Sequence, residues 1–398
     1  MSAVLNRGRA EAILSEAGVD VLVATTHQNV FYMTGYVGFG QRLMPGTQVY
    51  SVSRADALDE PVLIAPMGDL DVHAQLPARL AGLRPYGRFF VEVEGEGAEL
   101  DPEQERYRAI ALQDPAGSGV EALLDELAGL PSRARIALDE RGIAAAAREA
   151  VLQRFGRRIV DGAGLLERIR MVKTPEEIRR LTAAALAVEE SYLAALRSAR
   201  EGVSEAELAR VFDCRTIEQG SQPHFTVIAF GERSAFPNAL PSSWRRLRRG
   251  DPIRFDVGCR TEMYSSDIAR TAVFGEPSRR LRDCYDAVLL GEQRMLEVLR
   301  PGVTAREVFE AAVRATREAG IPGYRRHHVG HGVGLDTYDP PLLDATTETV
   351  LEPGMVLEIE TPYYELGFGG VQVEDTVLVT DAGCRLLTRT PRELAIVS

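Results

Sequence analysis

Hydrophobic residues recur at spacings of three and four along residues 178–192, which is the pattern of one buried helical face. The repeating positions are Ile178, Leu181, Ala185, Val188 and Tyr192. Immediately before them, Thr174 supplies a capping hydroxyl, Pro175 occupies the first helical position, and Glu177 places a carboxylate at the third. We therefore predict a long helix that begins after Thr174.

The chain before residue 156 has a different pattern. Short apolar runs at 19–25, 61–66 and 134–139 have the length of buried strands, and the stretches 9–17 and 143–155 have helical spacing. The glycine-rich segment GFGQRLMPG, at 38–46, is interpreted as a loop. A chain of 398 residues is also too long for one ordinary core. We predict an N-terminal α/β domain over 1–160, a linker near 156–173, and a second domain over 161–398.

The second domain contains a weak internal repeat. Gly202-Val203-Ser204 followed by Glu207 resembles Gly302-Val303-Thr304 followed by Glu307, a hundred residues later, and both patterns are typical of a capping box that opens a helix. A β-rich segment that carries acids follows in each half, at 254–275 and at 356–381. A duplicated unit of two helices and a β segment would bring these two segments together at a pseudo-two-fold axis.

Composition narrows the class of protein. Hydrophobic residues make up 45% and charged residues 26%, which is typical of a soluble globular chain. The net charge of -12 argues against nucleic acid or an anionic membrane as the main partner. No apolar run approaches the 18 residues of a membrane span, and the N-terminus lacks a secretory pattern. Four scattered cysteines without a CxxC pair favour reduced thiols and a cytoplasmic location.

Four acids lie in β-type apolar runs, where unpaired carboxylates are rare. They are Asp256, Asp267, Glu360 and Glu374, two from each β-rich segment. Arginine pairing could account for one or two of them, but all four together indicate bound metal cations. Between the two segments lies His327-His328-Val329-Gly330-His331, whose imidazoles are candidate ligands or catalysts, although His328, like His224, is also open to interpretation as a surface residue.

These motifs resemble the pita-bread metallopeptidases, which include methionine aminopeptidase, aminopeptidase P and prolidase, with creatinase as a non-metal relative. The resemblance runs from about Arg170 to Arg392, and the segments SDIARTAVFG, VGHGVGLD, EPGMVLEIE and GGVQVEDTVLVTD are most like prolidase and aminopeptidase P. It implies an α+β fold in which a pita-bread domain with a pseudo-two-fold αα/ββ repeat follows a smaller α/β creatinase-like domain.

The resemblance also implies a complete set of metal ligands: Asp256, Asp267, His331, Glu360 and Glu374. It implies that Asp267 and Glu374 bridge two divalent ions, that Asp256 completes one site, and that His331 and Glu360 complete the other. Four oxygen ligands and one imidazole favour manganese first, with cobalt or zinc next. Glu360 is the expected carrier of the proton from water to the leaving nitrogen.

Three positions depart from the family. Relatives carry histidines where this chain has Asn238 and Tyr338, and they often carry an arginine where it has Gln372. Both Asn238 and Tyr338 keep hydrogen-bonding ability and lose charge, so we expect them to be catalytic hydrogen-bonding groups. His327 matches a further active-site histidine of the family, with an expected role in catalysis and in substrate binding.

The resulting hypothesis is a cytoplasmic, homodimeric metallopeptidase that hydrolyses Xaa-Pro bonds, most of all in dipeptides. Action on longer peptides, as an aminopeptidase P or from the carboxyl end, is the open alternative, and creatinase-like hydrolysis or a non-catalytic binding role is disfavoured by the intact ligands. A dipeptide needs a partner for its free carboxylate. The candidates are Gln372, His327 and Arg42 in the loop at 38–46.

Overall fold

The computed structural model describes residues 4–44, 46–75, 79–92 and 99–398, and the chain divides into two compact units, Met1–Arg170 and Met171–Ser398. This division falls ten residues after the predicted boundary at 160/161. The reason is that helix Ala163–Met171 packs into the first unit, where Leu166 and Ile169 are fully buried. Arg170 also donates from Nη1 to the Asn29 side chain at 2.8 Å.

The first unit is a mixed sheet flanked by helices. Its helices are α1 Arg7–Ala17, α2 His27–Thr34, α3 Gly40–Leu43, α4 Asp71–Gln75, α5 Pro102–Ala111, α6 Gly119–Ala128, α7 Ala145–Phe155 and α8 Ala163–Met171. Its strands are β1 Val21–Ala24, β2 Tyr50–Arg54, β3 Val62–Pro66, β4 Gly82–Tyr86, β5 Ile136–Leu138 and β6 Ile159–Asp161. The strand order is β4-β3-β2-β1-β5-β6, with both parallel and antiparallel pairs. The predicted α/β character of this unit is thereby confirmed.

The segment 38–46 is not simply a loop, because it contains the short helix α3. The buried carboxylate of Asp69 accepts hydrogen bonds from the backbone N–H groups of Phe39 and Gly40, each at 2.9 Å. These bonds satisfy amides that the first helical turn leaves without partners. Arg42 lies exposed on this helix, and Pro45 lies outside the described residues.

The second unit has four long helices and a large sheet. The helices are α9 Pro175–Arg197, α10 Glu205–Glu218, α11 Arg279–Val298 and α12 Ala305–Glu318. The strands are β7 Gln222–Phe230, β8 Pro252–Thr261, β9 Tyr264–Ser265, β10 Ile268–Phe274, β11 Gly330–Gly332, β12 Asp339–Leu342, β13 Val356–Glu360, β14 Tyr363–Glu365, β15 Gly369–Val371, β16 Glu374–Thr380, β17 Gly383–Leu386 and β18 Ala395–Val397. Helix α9 begins with the predicted capping box of Thr174 and Glu177. No helix among the described residues is both long and apolar enough to cross a membrane.

The sheet joins the two halves of the predicted repeat. Its main order is β12-β11-β13-β16-β10-β8-β7, so β7, β8 and β10 of the first half mirror β11, β13 and β16 of the second. The halves meet where Ala269 of β10 pairs with Glu374 of β16. Both predicted capping boxes are present, at Ser204 and at Thr304, and each cap residue forms an isolated β-bridge, to Arg246 and to Val350. The αα/ββ repeat and its pseudo-two-fold arrangement are confirmed.

Alternation along the strands separates an apolar face from an acidic one. In β8, Phe255 and Val257 belong to the hydrophobic core with helices α9 and α10, so Asp256 points to the opposite face. In β13, Leu357 and Ile359 pack against the helices of the second half, and Glu360 points away from them. The helices therefore cover one face of the sheet, and the candidate ligands lie on the other.

Candidate metal centre

Strand register brings the five predicted ligands onto one face of the sheet. Asp256 pairs with Ala269, Ala269 pairs with Glu374, and Glu374 pairs with Glu360, so one row crosses four strands. Residues directly opposite each other on neighbouring strands share a face, as do residues two apart on the same strand. Asp267 lies two residues before Ala269, and His331 pairs with Glu358, two residues before Glu360. All five side chains therefore converge on one region.

A compact set of ligand atoms lies at the centre of this region. Single ligand atoms of Asp267, His331 and Glu374 all lie within 4.8 Å of one another, and all three residues are buried. The His331 Nε2 atom is 4.0 Å from Asp267 Oδ2. This spacing allows one cation to contact ligands from β11, from β16 and from the residue that immediately precedes β10.

His331 presents the nitrogen that a metal requires. Its Nδ1 lies 3.0 Å from the Gly332 carbonyl, to which it donates as the protonated ring nitrogen, so Nε2 carries the lone pair. Burial lowers the pKa of His331 to about 4, which keeps the ring neutral at pH 7. Nε2 is buried and has no hydrogen-bond partner among the described residues. An unpartnered buried imidazole nitrogen is costly unless a cation binds it.

The carboxylates repel one another in the absence of a counter-charge. Burial raises the pKa of Asp267 and of Glu374 well above the ordinary value, and the charge of the neighbouring acids raises both further. Burial raises the pKa of Glu360 to about 7, against the opposing effect of Arg326. Asp267 Oδ1 is buried with no hydrogen-bond partner in the part of the chain that the structure describes. The donor set therefore fits divalent cations, which would replace lost hydration and cancel the repulsion.

Both carboxylate oxygens of Glu360 lie close to nitrogen atoms of neighbouring side chains. Its Oε1 lies 3.1 Å from His328 Nδ1 and 3.9 Å from an Arg326 guanidinium nitrogen. Its Oε2 accepts a hydrogen bond from Gln372 Nε2 at 3.2 Å. Gln372 therefore holds Oε2 by a hydrogen bond, and the Arg326 guanidinium places a positive charge near Oε1. His328 Nδ1 accepts from the Gly330 N–H at 3.3 Å, so its contact with Oε1 is not a donated hydrogen bond.

Two family profiles match the chain. Residues 179–381 match the profile of metallopeptidase family M24, and residues 7–172 match that of the creatinase/prolidase N-terminal domain. The chain belongs to metallopeptidase family M24. The predicted resemblance to this family is therefore confirmed, together with a creatinase-like first domain.

Individual relatives agree with this assignment. A Xaa-Pro dipeptidase of Pyrococcus furiosus is 39% identical over 232 residues, which cover 58% of this chain and 66% of the relative. The solved prolidase of Pyrococcus horikoshii OT3 superposes with a TM-score of 0.79 at 25% identity, covering 98% of this chain and 99% of that one. A solved Xaa-Pro dipeptidase from Bacillus anthracis gives a TM-score of 0.80 at 25% identity, with 98% and 99% covered.

Tyr338 lies beside His331, the candidate ligand histidine. Its ring stacks on His331 with the centroids 3.7 Å apart and the planes at 22°. Tyr338 is 60% exposed, so the stack on His331 leaves much of the residue open to solvent. Burial, followed by the charge of Glu360, raises the pKa of Tyr338. The phenol therefore keeps its proton at neutral pH and can donate it in a hydrogen bond.

Replacing Tyr338 with phenylalanine tests this donor. Loss of one donor to a tetrahedral intermediate typically lowers turnover by about 10²–10³-fold. We expect Tyr338→Phe to lower kcat on this scale with little change in KM, because the ring and its stack on His331 are kept. Steady-state kinetics on an Xaa-Pro dipeptide would measure both constants. An unchanged kcat would assign Tyr338 to packing alone.

The other predicted residues occupy less central positions. His327 is exposed, and its ring lies 5.2 Å from that of His328, centroid to centroid. Asn238 is exposed in the segment that follows the short 3₁₀ helix Gly231–Ala235. Gln372 is 1% exposed, and its amide bonds protein groups on both sides, which supports positioning of Glu360 rather than direct contact with substrate. Roles for His327 and Asn238 stay predictions.

Sequence reasoning missed four residues of the M24 site. His328, which the sequence leaves open to interpretation as a surface residue, is 8% exposed and contacts Glu360. Arg326 adds a guanidinium beside the same carboxylate. Glu358 is fully buried two residues before Glu360, with Thr376 donating to it at 3.2 Å. Arg254 is also fully buried, and a charge between Ile253 and Phe255 was the available signal.

Proposed function

We propose that this chain is a two-metal peptidase that hydrolyses Xaa-Pro bonds, with dipeptides as its preferred substrates. The observation that carries the proposal is a cluster of three buried ligand atoms, from Asp267, His331 and Glu374, on a sheet face that also carries Asp256 and Glu360. Among the described residues, His331 Nε2 in this cluster has no hydrogen-bond partner. The similarity to proteins named Xaa-Pro dipeptidase and prolidase supports the substrate class. The matched stretch spans slightly less than two thirds of the first of these relatives.

The proposed chemistry divides between the metals and the side chains. Two divalent ions, held by Asp256, Asp267, His331, Glu360 and Glu374, would supply an acidified water and a Lewis acid for the scissile carbonyl. Glu360 then takes the proton of the attacking water and delivers it to the proline nitrogen as that nitrogen leaves. Gln372 orients Glu360 for this transfer by donating to Oε2, and Tyr338 donates to the oxyanion.

We also propose the identity of the metal, the oligomeric state and the cellular location. Manganese is the proposed metal, because four carboxylates and one imidazole suit a hard or borderline divalent ion. A cytoplasmic homodimer is the proposed working state. The four cysteines of the chain are free, which agrees with a reducing compartment.

Product analysis on short peptides tests the proposed function. The purified protein with added manganese would be incubated separately with Ala-Pro, Pro-Ala and Ala-Pro-Ala, and the products identified by mass spectrometry. We expect alanine and proline from Ala-Pro, no cleavage of Pro-Ala, and much slower cleavage of the tripeptide. Alanine and Pro-Ala released faster from the tripeptide would instead assign an aminopeptidase P, and Ala-Pro with free alanine would assign trimming from the carboxyl end.

Selection of dipeptides requires a cation near the free carboxylate. Arg42 is the proposed partner, since a planar guanidinium binds a carboxylate through two parallel hydrogen bonds. Such a bond to a charged group contributes about 1.5–3 kcal/mol, or about 10–100-fold in kcat/KM. We expect Arg42→Ala to lower kcat/KM for Ala-Pro by this factor and to leave or improve cleavage of Ala-Pro-Ala.

An exposed arginine elsewhere in the first unit provides the control. Arg148 lies on α7, where it pairs with Glu140 at 2.8 Å, and Arg148→Ala removes a similar surface charge. We expect this variant to cleave both peptides as the unmodified protein does. Equal losses on the two peptides in Arg42→Ala would remove Arg42 from length selection.

A further inference from the structure

Arg254 uses every hydrogen-bond donor of its guanidinium inside the second unit. It lies on β8, two residues before Asp256, and is fully buried. Nε donates to the Ser234 carbonyl at 3.0 Å, and Nη2 donates to the Phe236 and Pro237 carbonyls at 2.6 and 2.8 Å. Nη1 donates to Asp256 Oδ2 at 3.0 Å and to Gln372 Oε1 at 2.8 Å. A guanidinium has five N–H donors, and all five have acceptors here.

This guanidinium decides the orientation of the Gln372 amide. Gln372 Oε1 accepts from Arg254 and from the Tyr364 hydroxyl, the latter at 3.1 Å. The Tyr364 ring also lies under Arg254, with its centroid 5.1 Å from the guanidinium carbon. With two donors on Oε1, the amide must turn its Nε2 toward Glu360, to which it donates at 3.2 Å. A hydrogen-bond chain therefore runs from Asp256 through Arg254 and Gln372 to Glu360.

We propose that Arg254 is the positioning residue of the metal cluster, fixing Asp256 directly and Glu360 through Gln372. One rigid cation thereby aligns carboxylates from the first and second halves of the repeat, which lie on β8 and β13. It also anchors the segment 234–237 that leads to Asn238. This proposal rests on the hydrolytic function proposed above as far as turnover is concerned, whereas its consequence for metal binding stands independently.

The same geometry accounts for glutamine at position 372. An arginine at this position, as relatives often have, would place a second buried guanidinium against Arg254. Gln372 instead offers Arg254 an acceptor and Glu360 a donor. The positive charge therefore lies on β8, and the neutral amide connects it to Glu360 through two hydrogen bonds. The arginine should therefore be able to move from position 254 to position 372 when both residues are changed together. Changing either residue alone should disturb the cluster, and this difference gives a direct test.

Four proteins compose the test: the unmodified chain, Arg254→Met, Gln372→Arg and the double variant. Manganese affinity would be measured by calorimetric titration of the metal-free proteins, melting temperature by circular dichroism, and kcat and KM on Ala-Pro. Substitution of groups that orient metal ligands typically weakens metal binding by about 10–100-fold. We expect Arg254→Met to show this loss together with a lower kcat and a nearly constant KM. Gln372→Arg alone should melt at a lower temperature, and the double variant should regain at least tenfold of the lost affinity.

Arg245 is the matched control for removing a buried arginine. It is 4% exposed and donates to Asp251 at 2.9 Å, away from the candidate ligands. Arg245→Met should lower the melting temperature without changing manganese affinity.

Arg254→Met with normal manganese affinity, or a double variant whose manganese affinity is no higher than that of Arg254→Met, would overturn the proposal. If Arg254→Met fails to fold, recovery of folding and affinity in the double variant supports the exchange, and its absence contradicts it. Failure of peptide hydrolysis in the unmodified protein would contradict the proposed function and leave the affinity result intact.

Discussion

Replacing Glu374 with glutamine should abolish tight metal binding and peptide hydrolysis while raising the melting temperature of the metal-free protein. Glu374 lies where the two halves of the sheet meet, with ligand atoms close to those of Asp267 and His331. Bound metal ions provide several kcal/mol of transition-state stabilisation, and each 1.4 kcal/mol is a factor of about ten in rate. We therefore expect kcat to fall by a factor of about 10³ or more.

The expected rise in the melting temperature of the metal-free variant distinguishes the loss of a ligand from a packing defect. Glutamine has the size of glutamate and carries no charge, so it removes one of the buried carboxyl groups that repel each other in the metal-free protein. Calorimetric titration with manganese and thermal unfolding with and without metal would measure both effects. A variant that melts lower in both states would indicate a packing defect rather than the loss of a ligand.

Glu360→Gln should lower kcat by about 10²–10⁴-fold, the usual contribution of a general acid–base group. The substituted amide keeps the size of the side chain and an oxygen that can accept from Gln372, but it cannot take a proton from water. Because substrate contacts are largely unchanged, KM should change much less than kcat. Steady-state kinetics at saturating manganese would separate this effect from any weakening of the metal site.

Glu358 supplies a matched control on the same strand and face. It lies two residues before Glu360, is equally buried among protein groups, and pairs with His331 across the strands. Glu358→Gln makes the same chemical change without removing the proposed proton carrier, so we expect less than about a tenfold loss of kcat. Equal losses in the two variants would mean that the total charge of the cluster, rather than proton transfer by Glu360, sets the rate.

The positions of the candidate metal ligands stand out in the sequence because they break a rule of strand composition. Acids such as Asp256 and Glu374 stand inside apolar β-type runs, and the strand period places them opposite the core. The capping boxes at Ser204 and Thr304 likewise depend on residues three apart in sequence, so the helix starts and the repeat were visible locally.

Contacts distant in sequence could not be predicted in this way. Arg254 breaks the same composition rule, but its partner Gln372 lies 118 residues further along the chain. Helix α3 depends on Asp69, 29 residues after Gly40, so its glycines alone indicated a loop. His327 and His328 precede β11, where alternation does not apply, and only the folded backbone turns His328 inward against Glu360. Side-chain roles that depend on such long-range contacts required the structure.

Metal stoichiometry, measured together with hydrolysis of Ala-Pro, tests the central claim most directly. The protein would be stripped with a chelator, dialysed, and titrated with manganese, with bound metal counted by elemental analysis and released proline assayed at each step. The proposed two-metal peptidase predicts no proline release from the metal-free protein and full activity as two ions bind per chain. Hydrolysis of Ala-Pro at an undiminished rate by the metal-free protein would contradict it.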